Sequence, residues 1–448
     1  MKEFIKKFTA ISMCLILAAG LAACGHGYGT DGPLEEQINI EEGDNMDGKD
    51  GKTLKLIDEA WAAEDSSDAY STLENLQNVT EQVHDLSMEL LMKGMQEGTS
   101  SMISPVSILM AMAMVENGAS GVSLEQMEEA FGCDAESLSL WLRAWKSSLR
   151  TSEDTNMNVA NSFWFRDSES LQVKEEYLKT ISSMLDAQAY KSAFNQGTAD
   201  DMNQWCDDNT YGMIKKIINT LTPQDMTVLL NATAFEGVWE EPYEEYQIHE
   251  DEVFTKEDGT EENAVMMYSR EGVYMENDQL TGFRKPYKDG YSFVALLPCD
   301  GLSVADCARG LDGEAWRGLI SSARSEKVNA VIPEFTSAFR MDNLIQVFSD
   351  MGITDIFAPD KADLSAMAEL DGGQPLFVSG IIHKTFIEVN RKGTRAAAVT
   401  GIKVGTTAFM PEKIYDVRLD RPFIYAIVDD ATNTPMFIGT TMSVAAEQ

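Results

Sequence analysis

Hydrophobic and polar positions follow helical or strand spacing from about residue 78 to the end of the chain, and these spacings predict its elements. Residues 80–95 carry apolar side chains at helical spacing and predict an amphipathic helix. Ser104 is a favourable N-cap and Pro105 a favourable first helical residue, so a second helix is expected to begin there. Because this second helix is apolar on nearly all sides, we expect it to be buried.

Similar spacings predict further helices and strands in the same region. Helices are expected over residues 124–131, with Ser123 as N-cap, 174–187 and 203–218. Strands are expected over residues 159–165, 228–243, 292–298 and 328–335. A hairpin of two apolar strands is expected near the end, in RPFIYAIVDDATNTPMFIGTTM. The pattern therefore predicts a globular region with both helices and strands.

A segment of small residues follows the strand-like stretch FIEVN, and Gly393 separates the two. Because side chains alternate between the faces of a strand, one face of this segment would carry Thr394, Ala396, Ala398, Thr400, Ile402, Val404 and Thr406. The other face would carry Arg395, Ala397, Val399, Gly401, Lys403, Gly405 and Thr407. Both charges fall on the second face, so the segment could become a central strand with its uncharged face buried. Its glycines make it a poor strand in isolation.

The net charge of the chain limits the classes of binding partner that can be expected. The chain has 448 residues, which could form two or three ordinary domains, and its formal net charge is −38. Such an acidic chain lacks the basic surface with which proteins bind nucleic acid, so no nucleic-acid partner is expected. It is also repelled by anionic lipid, so any membrane attachment needs a dedicated device.

The N-terminal residues supply such a device. A basic start and a short apolar run end in Leu-Ala-Ala-Cys at Cys24, the layout of a secretory signal. This ending resembles the bacterial lipobox, so residues 1–23 are expected to be a signal peptide and Cys24 the lipidated residue. A plain signal peptide with an incidental cysteine is the alternative. Residues 24–77 are acidic and Gly-rich and are expected to form a flexible tether, with the globular domain over 78–448. The expected location is extracellular, lipid-anchored to the bacterial cell surface.

Motifs for metal binding and catalysis are absent from the sequence. The later cysteines, Cys133, Cys206, Cys299 and Cys307, show no CxxC or zinc spacing, and only Cys299 and Cys307 are close enough in sequence to suggest a pair. Isolated buried thiols are the simpler expectation. The chain has four His and no HExxH, GxSxG, P-loop or GxGxxG motif. A scattered Ser-His-acid triad stays open from sequence alone. We expect no enzyme, no metal and no cofactor.

An ordered series of motifs resembles the serpins, a family of protease inhibitors. The run from Ser104 resembles SPxSI…GAxGxT…QM, residues 228–243 resemble LVNAIYFKGxWExPF, and residues 351–365 resemble LGIxDxF…ADLSG. The C-terminal hairpin resembles RPFxFxIxDxxTxxxLFxG, and the small-residue segment resembles the reactive-centre loop. The resemblance implies an α+β serpin fold with three β-sheets, about eight or nine helices and an exposed reactive-centre loop.

The resemblance also implies a function and roles for single residues. It implies a monomeric suicide inhibitor of serine proteases, with papain-like cysteine proteases as a further target class; a non-inhibitory serpin-fold binding protein is the alternative. The implied reactive bond is Thr407–Ala408, which suits an elastase-like or subtilisin-like protease, with Phe409 or Met410 as alternative cleavage residues for a chymotrypsin-like one. The implied hinge is Gly393, Thr394, Arg395, Ala396, Ala397, Ala398, Val399 and Thr400. A polar cluster where the strands part is implied for Ser104, Ser107, Asn161 and His383, and Trp239 matches the tryptophan at the top of the sheet.

One departure from the family pattern concerns charge. Many serpins have Glu two residues before the hinge glycine, paired with Lys on the LPKF strand. Here the two positions are Arg391 and Glu334. We therefore predict a reversed salt bridge between them that latches the sheet; two unrelated exposed charges are the alternative.

Overall fold

The computed structural model describes residues 45–46, 53–57, 66–96, 98–373, 375–394 and 413–445. The helices in these ranges are α1 (Ser66–Asn75), α2 (Gln77–Gly94), α3 (Pro105–Glu116), α4 (Gly121–Phe131), α5 (Ala135–Ser148), α6 (Glu175–Leu185), α7 (Gln196–Asn209), α8 (Val304–Arg309), α9 (Gly313–Ser321) and α10 (Leu344–Asp350).

The strands in the same ranges are β1 (Asn45–Met46), β2 (Thr53–Ile57), β3 (Ser101–Ile103), β4 (Thr155–Arg166), β5 (Leu171–Val173), β6 (Ala187–Ser192), β7 (Thr227–Val238), β8 (Ile248–Thr255), β9 (Glu261–Glu276), β10 (Leu280–Pro286), β11 (Tyr291–Pro298), β12 (Arg324–Pro333), β13 (Phe335–Met341), β14 (Ala368–Leu370), β15 (His383–Asn390), β16 (Gly393–Thr394), β17 (Ile414–Arg418), β18 (Phe423–Asp429) and β19 (Pro435–Thr441). The α+β class expected from the sequence is confirmed.

Three sheets organise these strands. The main sheet has the order β1-β2-β6-β4-β7-β16-β15-β13. The second sheet has the order β17-β12-β9-β10-β11-β18-β19-β3, with β8 added on β9, and β14 pairs with β5 in a small third sheet. Helix α3 is buried almost throughout and packs against β7 and β19, so it lies between the two large sheets. Its position follows from its sequence, because a helix that is apolar all round must be covered on every side.

The two faces of β7 contact different hydrophobic cores. Phe235 belongs to the large core between the main and second sheets, and Leu230 and Ala232 belong to a smaller core that includes residues of α7. Both faces of the strand are therefore covered, which accounts for its nearly continuous apolar sequence.

A two-residue strand, β16, lies between β7 and β15 at the centre of the main sheet. Gly393 and Thr394 of β16 pair with Val238 and Gly237 of β7 on one side, and Thr394 pairs with Val389 of β15 on the other. In the part of the chain that the structure describes, no backbone ladder joins β7 directly to β15. We call the space between these two strands, beyond β16, the slot.

Residues 24–77 were expected to form a flexible tether, but β1, β2 and α1 lie within this range. Strand β2 pairs antiparallel with β6, and the Thr53 hydroxyl donates to Asp201 at 2.6 Å. Helix α1 packs against α5. A short β-prone stretch, TLKLI, can add to the open edge of a sheet although its surroundings are acidic and rich in glycine. Residues 24–44 lie outside the described ranges.

Several predicted boundaries also shift. The helix expected over residues 203–218 is α7, which ends at Asn209 because Tyr211 and Gly212 adopt positive φ angles of 52° and 76°. Helix α4 begins at Gly121, so Ser123 lies inside it, and its hydroxyl accepts from the Asp363 backbone N–H. Local turn geometry helps to set where these helices begin and end, and the spacing of apolar residues does not reveal it.

Cys133, Cys206, Cys299 and Cys307 are all free thiols, as expected; Cys206 and Cys307 are buried, whereas Cys133 and Cys299 are only half-buried. Across the described ranges, the structure contains no helix that combines the length and apolar character needed to cross a membrane.

Candidate functional site

Two residues are already seated at the top of the slot. Gly393 has φ of 150°, and a Cβ atom there would lie 1.9 Å from the carbonyl oxygen of Gly237, so only glycine fits this backbone. The next residue, Thr394, is buried, and its hydroxyl lies 2.6 Å from that of buried Tyr287. Because side chains alternate between the faces of a strand, the inward direction of Thr394 determines which of the following side chains would point into the core.

A short segment after β7 ties its end to the end of β15. We call residues 239–243 the clamp segment. The backbone N–H of Trp239 donates to Lys392 O at 3.0 Å, its indole N–H donates to Asn390 O at 3.0 Å, and the Tyr243 N–H donates to Arg391 O at 3.1 Å. Trp239 is fully buried. It stacks on Tyr287 with ring centroids 4.1 Å apart.

The structure brings Arg391 and Glu334 together at the same end of the sheet. Arg391 Nε lies 2.9 Å from Glu334 Oε1 and Nη2 lies 3.4 Å from Oε2, and the Arg391 backbone N–H donates to Oε1 at 3.1 Å. The hydrogen bond to Glu334 raises the pKa of Arg391 further. Glu245 and Glu250 lie 3.9 Å from the same guanidinium. This arginine is therefore the shared cation of three carboxylates.

A chain of amide and hydroxyl groups crosses the inner side of the main sheet. The Ser107 hydroxyl donates to Asn231 Oδ1, Asn231 Nδ2 donates to Asn161 Oδ1 at 2.7 Å, and Asn161 Nδ2 donates to Leu185 O at 2.6 Å. Asn231 links the two predicted residues, and the sequence analysis missed it. The available signal was a lone amide in an apolar strand, since such a group must find a partner when it is buried.

On the other side of the slot from this series of hydrogen bonds, His383 contacts Ser104. The Ser104 backbone N–H donates to His383 Nε2 at 3.1 Å. Burial lowers the pKa of His383 to about 3, so the ring stays neutral and keeps an acceptor nitrogen. Among the described residues the buried Ser104 hydroxyl has no hydrogen-bond partner. The four predicted polar residues therefore surround the first turns of α3, in two hydrogen-bonded groups.

A cavity of about 370 Å³ opens at the far end of the slot. Its apolar lining includes Ala111, Met112, Val115, Leu229, Phe377 and Ile381. These residues come from α3, from β7 and from the chain just before β15. The cavity thus lies between β7 and the chain that leads into β15, in line with the strand position that β16 begins.

The remaining predicted site residues lie outside the described ranges: Cys24, Arg395, Ala396, Ala397, Ala398, Val399, Thr400, Thr407, Ala408, Phe409 and Met410. Within the ranges that are described, no group of three or more His, Cys, Asp or Glu side chains is placed to hold a metal ion.

Comparisons with known proteins bear on this arrangement. The family model described as Serpin (serine protease inhibitor) matches residues 81–444. An uncharacterized serpin-like protein of Thermococcus kodakarensis is 28% identical, over 84% of this chain and 91% of its own. A serine protease inhibitor of Cyanea capillata is 31% identical, over 77% of this chain and 92% of its own. The crystal structure of a thermophilic serpin, tengpin, in the native state matches with a TM-score of 0.77 and 37% identity, covering 82% of this chain and 94% of that one.

Proposed function

Because the chain belongs to the serpin family, we propose that it is a suicide inhibitor of serine endopeptidases. The protease serine attacks the carbonyl carbon of the reactive bond, forms an ester with it and releases the new amino terminus. The freed loop then inserts into the slot and carries the attached protease with it before water can hydrolyse the ester.

The seating of Gly393 and Thr394 between β7 and β15 is the observation that carries this proposal. Both strands pair with β16 in antiparallel register, so each further loop residue would move one residue back along β7. Continued in this register, Thr400 would lie opposite Asn231 of β7 and His383 of β15. The inserted loop would then meet the polar cluster at its middle.

The same register accounts for the sequence of the loop. Thr394 faces inward, so Ala396, Ala398, Thr400, Ile402 and Val404 would also face inward. Ile402 would lie opposite Leu229, which lines the cavity of about 370 Å³. Arg395 and Lys403 would face outward, where charge is tolerated. The residues that would be buried are thus small beside α3 and larger where the cavity offers room.

Burial must supply most of the driving force for insertion. Ordering one residue costs about 1–2 kcal/mol of backbone entropy, whereas a new hydrogen bond contributes a net of about 0.5–1.5 kcal/mol. The ladder alone is therefore close to neutral. Burying the uncharged face and relieving strain elsewhere in the body would provide the rest.

The proposed targets are elastase-like or subtilisin-like proteases. Thr407 and Ala408 are small enough for a narrow specificity pocket. Cleavage after Phe409 or Met410 would instead favour a chymotrypsin-like protease. Papain-like cysteine proteases form the same kind of acyl bond through a thiolate and are a further target class.

A denaturing gel tests the proposal. The purified protein is incubated with elastase, subtilisin and chymotrypsin in separate reactions. We expect a covalent complex that survives denaturation, with the new amino terminus at Ala408, or after residue 409 or 410 with chymotrypsin. Clean cleavage of the loop with each protease and no covalent complex would reject inhibition and leave a non-inhibitory binding protein.

We further propose that the protein is exported and anchored through Cys24. Leu-Ala-Ala-Cys supports this, since a diacylglyceryl group adds two acyl chains, enough for stable membrane attachment. Expression in a bacterial host with labelled palmitate should label the protein, and Cys24→Ala should abolish the label. Equal labelling of both forms would reject the anchor.

A further inference from the structure

Lys285 of β10 is a buried cation directly beside the clamp segment. Its side chain is 3% exposed, and its Nζ lies 2.9 Å from Glu271 Oε1 of β9. The same nitrogen lies 3.4 Å from Glu241 O, within the clamp segment. It also lies 4.5 Å and 5.3 Å from the ring centroids of Tyr243 and Trp239, so it contacts the faces of both aromatic rings.

The partner carboxylate is buried as well. The Glu271 side chain is 7% exposed and also accepts a hydrogen bond from the Ser269 hydroxyl at 2.6 Å. Burial disfavours the charged form of Lys285, but Tyr243 and Glu271 outweigh this effect and raise its pKa, so the amine stays protonated. Two opposite charges are therefore held away from water beneath the top of the slot.

A buried ion pair rarely adds stability that a well-packed apolar pair would not. Its geometric effect here is specific, since the ammonium group of Lys285 in β10 contacts both β9 and the clamp segment. It binds β10 to β9 through Glu271 and binds both to the clamp segment through the Glu241 carbonyl and two rings. The pair therefore helps to fix the clamp segment relative to the second sheet, together with the Glu240 N–H, which donates to Pro286 O of β10 at 3.0 Å.

The clamp segment in turn spans the top of the slot. It follows β7, and its N–H groups hold the carbonyls of residues 390–392, which follow β15. Widening the slot at this end requires these hydrogen bonds to move together with the rings of Trp239 and Tyr287. An anchored clamp segment resists that movement.

We propose that Lys285 is a positioning residue for loop insertion: by anchoring the clamp segment to the second sheet, it restrains insertion of the uncut loop beyond Gly393 and Thr394. This inference rests on the proposed function, because restraint matters only if the rest of the loop can insert. It assigns Lys285 no contact with the protease or with the reactive bond.

The test replaces both charges together, because removing one would leave the other buried and unpaired. The variant Lys285→Met/Glu271→Gln keeps the side chains close to their original size. The matched control is Lys288→Met/Asp154→Asn, which removes a neighbouring ion pair of 2.7 Å whose side chains are 35% and 34% exposed. Both variants are compared with the wild type as intact, full-length chains.

Two measurements distinguish the anchoring of the clamp segment from its effect on loop insertion. Hydrogen exchange at the Trp239 and Tyr243 amides reports the clamp segment directly. We expect exchange about tenfold faster in K285M/E271Q and unchanged in the control, with global stability altered little. The second measurement follows spontaneous conversion of the uncut protein to a form that melts higher and no longer traps protease, which should also be about tenfold faster.

Unchanged amide exchange in K285M/E271Q would overturn the assignment, even in a chain that traps proteases. Faster exchange with an unchanged conversion rate would overturn the restraint on insertion. If the wild type itself forms no covalent complex, the proposed inhibition fails, while the exchange measurement still decides whether Lys285 anchors the clamp segment. If K285M/E271Q does not fold, Glu271→Gln alone should shift exchange in the same direction, and no shift would overturn the assignment.

Discussion

Arg391 and Glu334 form a two-point ion pair across the top of the main sheet, with Nε 2.9 Å from Oε1 and Nη2 3.4 Å from Oε2. The pair joins the residues that lead into the hinge to the junction of β12 and β13. The charges are exchanged relative to the pattern that many serpins have at these positions. The physical interaction does not depend on which strand carries which sign, so the same latch can be built in either order.

Reversing the sign at residue 391 should open this latch. Arg391→Glu would face Glu334 with Glu245 and Glu250 nearby, and repulsion should speed polymerisation or spontaneous conversion several-fold. Glu334→Lys in the same chain should restore most of the wild-type rate, which native gels over time can follow. Arg309→Glu, at an exposed ion pair in α8, is the control and should change little. Failure of the double variant to recover would contradict the latch.

Adding one methyl group to Gly393 should disturb the seated hinge. Its φ of 150° and the 1.9 Å approach to Gly237 O leave no room, so Gly393→Ala should destabilise the native form by about 1–3 kcal/mol and impair trapping. Gly272→Ala, where a Cβ meets nothing within 4 Å, serves as the control. Urea unfolding and the protease gel would check both effects. Equal behaviour of the two variants would speak against the hinge geometry.

The two faces of the loop should respond differently to charge. Ala396→Arg would place a cation on the inward face, where burial without a partner costs several kcal/mol, so cleavage should proceed without a covalent complex. Ala397→Arg adds the same charge one residue later, on the outward face, and should still trap. The protease gel compares them directly. Trapping by A396R as efficient as by A397R would refute the proposed register.

The loop side chains that fill the cavity should determine how much cleavage of the loop raises the stability of the protein. Truncating Ile402 and Val404 to Ala should lower the stability of the cleaved form by about 1.5–3 kcal/mol for each side chain, and should leave the uncut form nearly unchanged. Lys403→Ala, on the outward face, is the matched control. Melting temperatures of cut and uncut protein provide the measurement. If cleavage raises the melting temperature equally in all variants, these side chains do not occupy the cavity.

Glu116 predicts a pH dependence that is independent of inhibition. Burial raises its pKa to about 8, helped by Glu128 and Asp134, and neither of its oxygens has a hydrogen-bond partner among the described residues. Between pH 4.5 and 8 the folded chain therefore keeps a proton that the unfolded chain releases. Stability is lost as pH rises through this window, by up to about 1.4 kcal/mol per pH unit.

Glu116→Gln carries no such proton, so it should match the wild type near pH 4.5 and become increasingly more stable than it towards pH 8. Urea unfolding at both pH values measures the difference. Glu129→Gln, on the exposed side of α4, should show none. A constant difference between E116Q and the wild type across the window would show that Glu116 ionises normally.

Local sequence was sufficient for much of the fold and for part of the site. Ser104 followed by Pro105 marks the start of α3, because capping and a fixed φ act within one turn. The alternation after Gly393 separates a charged face from an uncharged one, since strand geometry alone assigns faces. Arg391 and Glu334 were found through two motifs of an ordered series.

Other features depend on contacts between distant parts of the chain. Asn231 joins Ser107 to Asn161 only because β4, β7 and α3 pack together. Lys285 carries no sequence signal of burial, and it is buried because Glu271 and the rings of Trp239 and Tyr243 surround its ammonium group. Strand β2 exists because β6 offers an open edge to an otherwise polar segment.

The sequence by itself therefore determined the family, the class of fold and the chemistry of each face of the loop. The tertiary structure alone decided which polar groups meet and which charge is buried. It also placed Gly393 and Thr394 between β7 and β15 in the main sheet. The physical reason is the distance along the chain over which each interaction acts. Capping, turns and alternation act over a few residues. Burial and pairing depend on surfaces that only folding brings together.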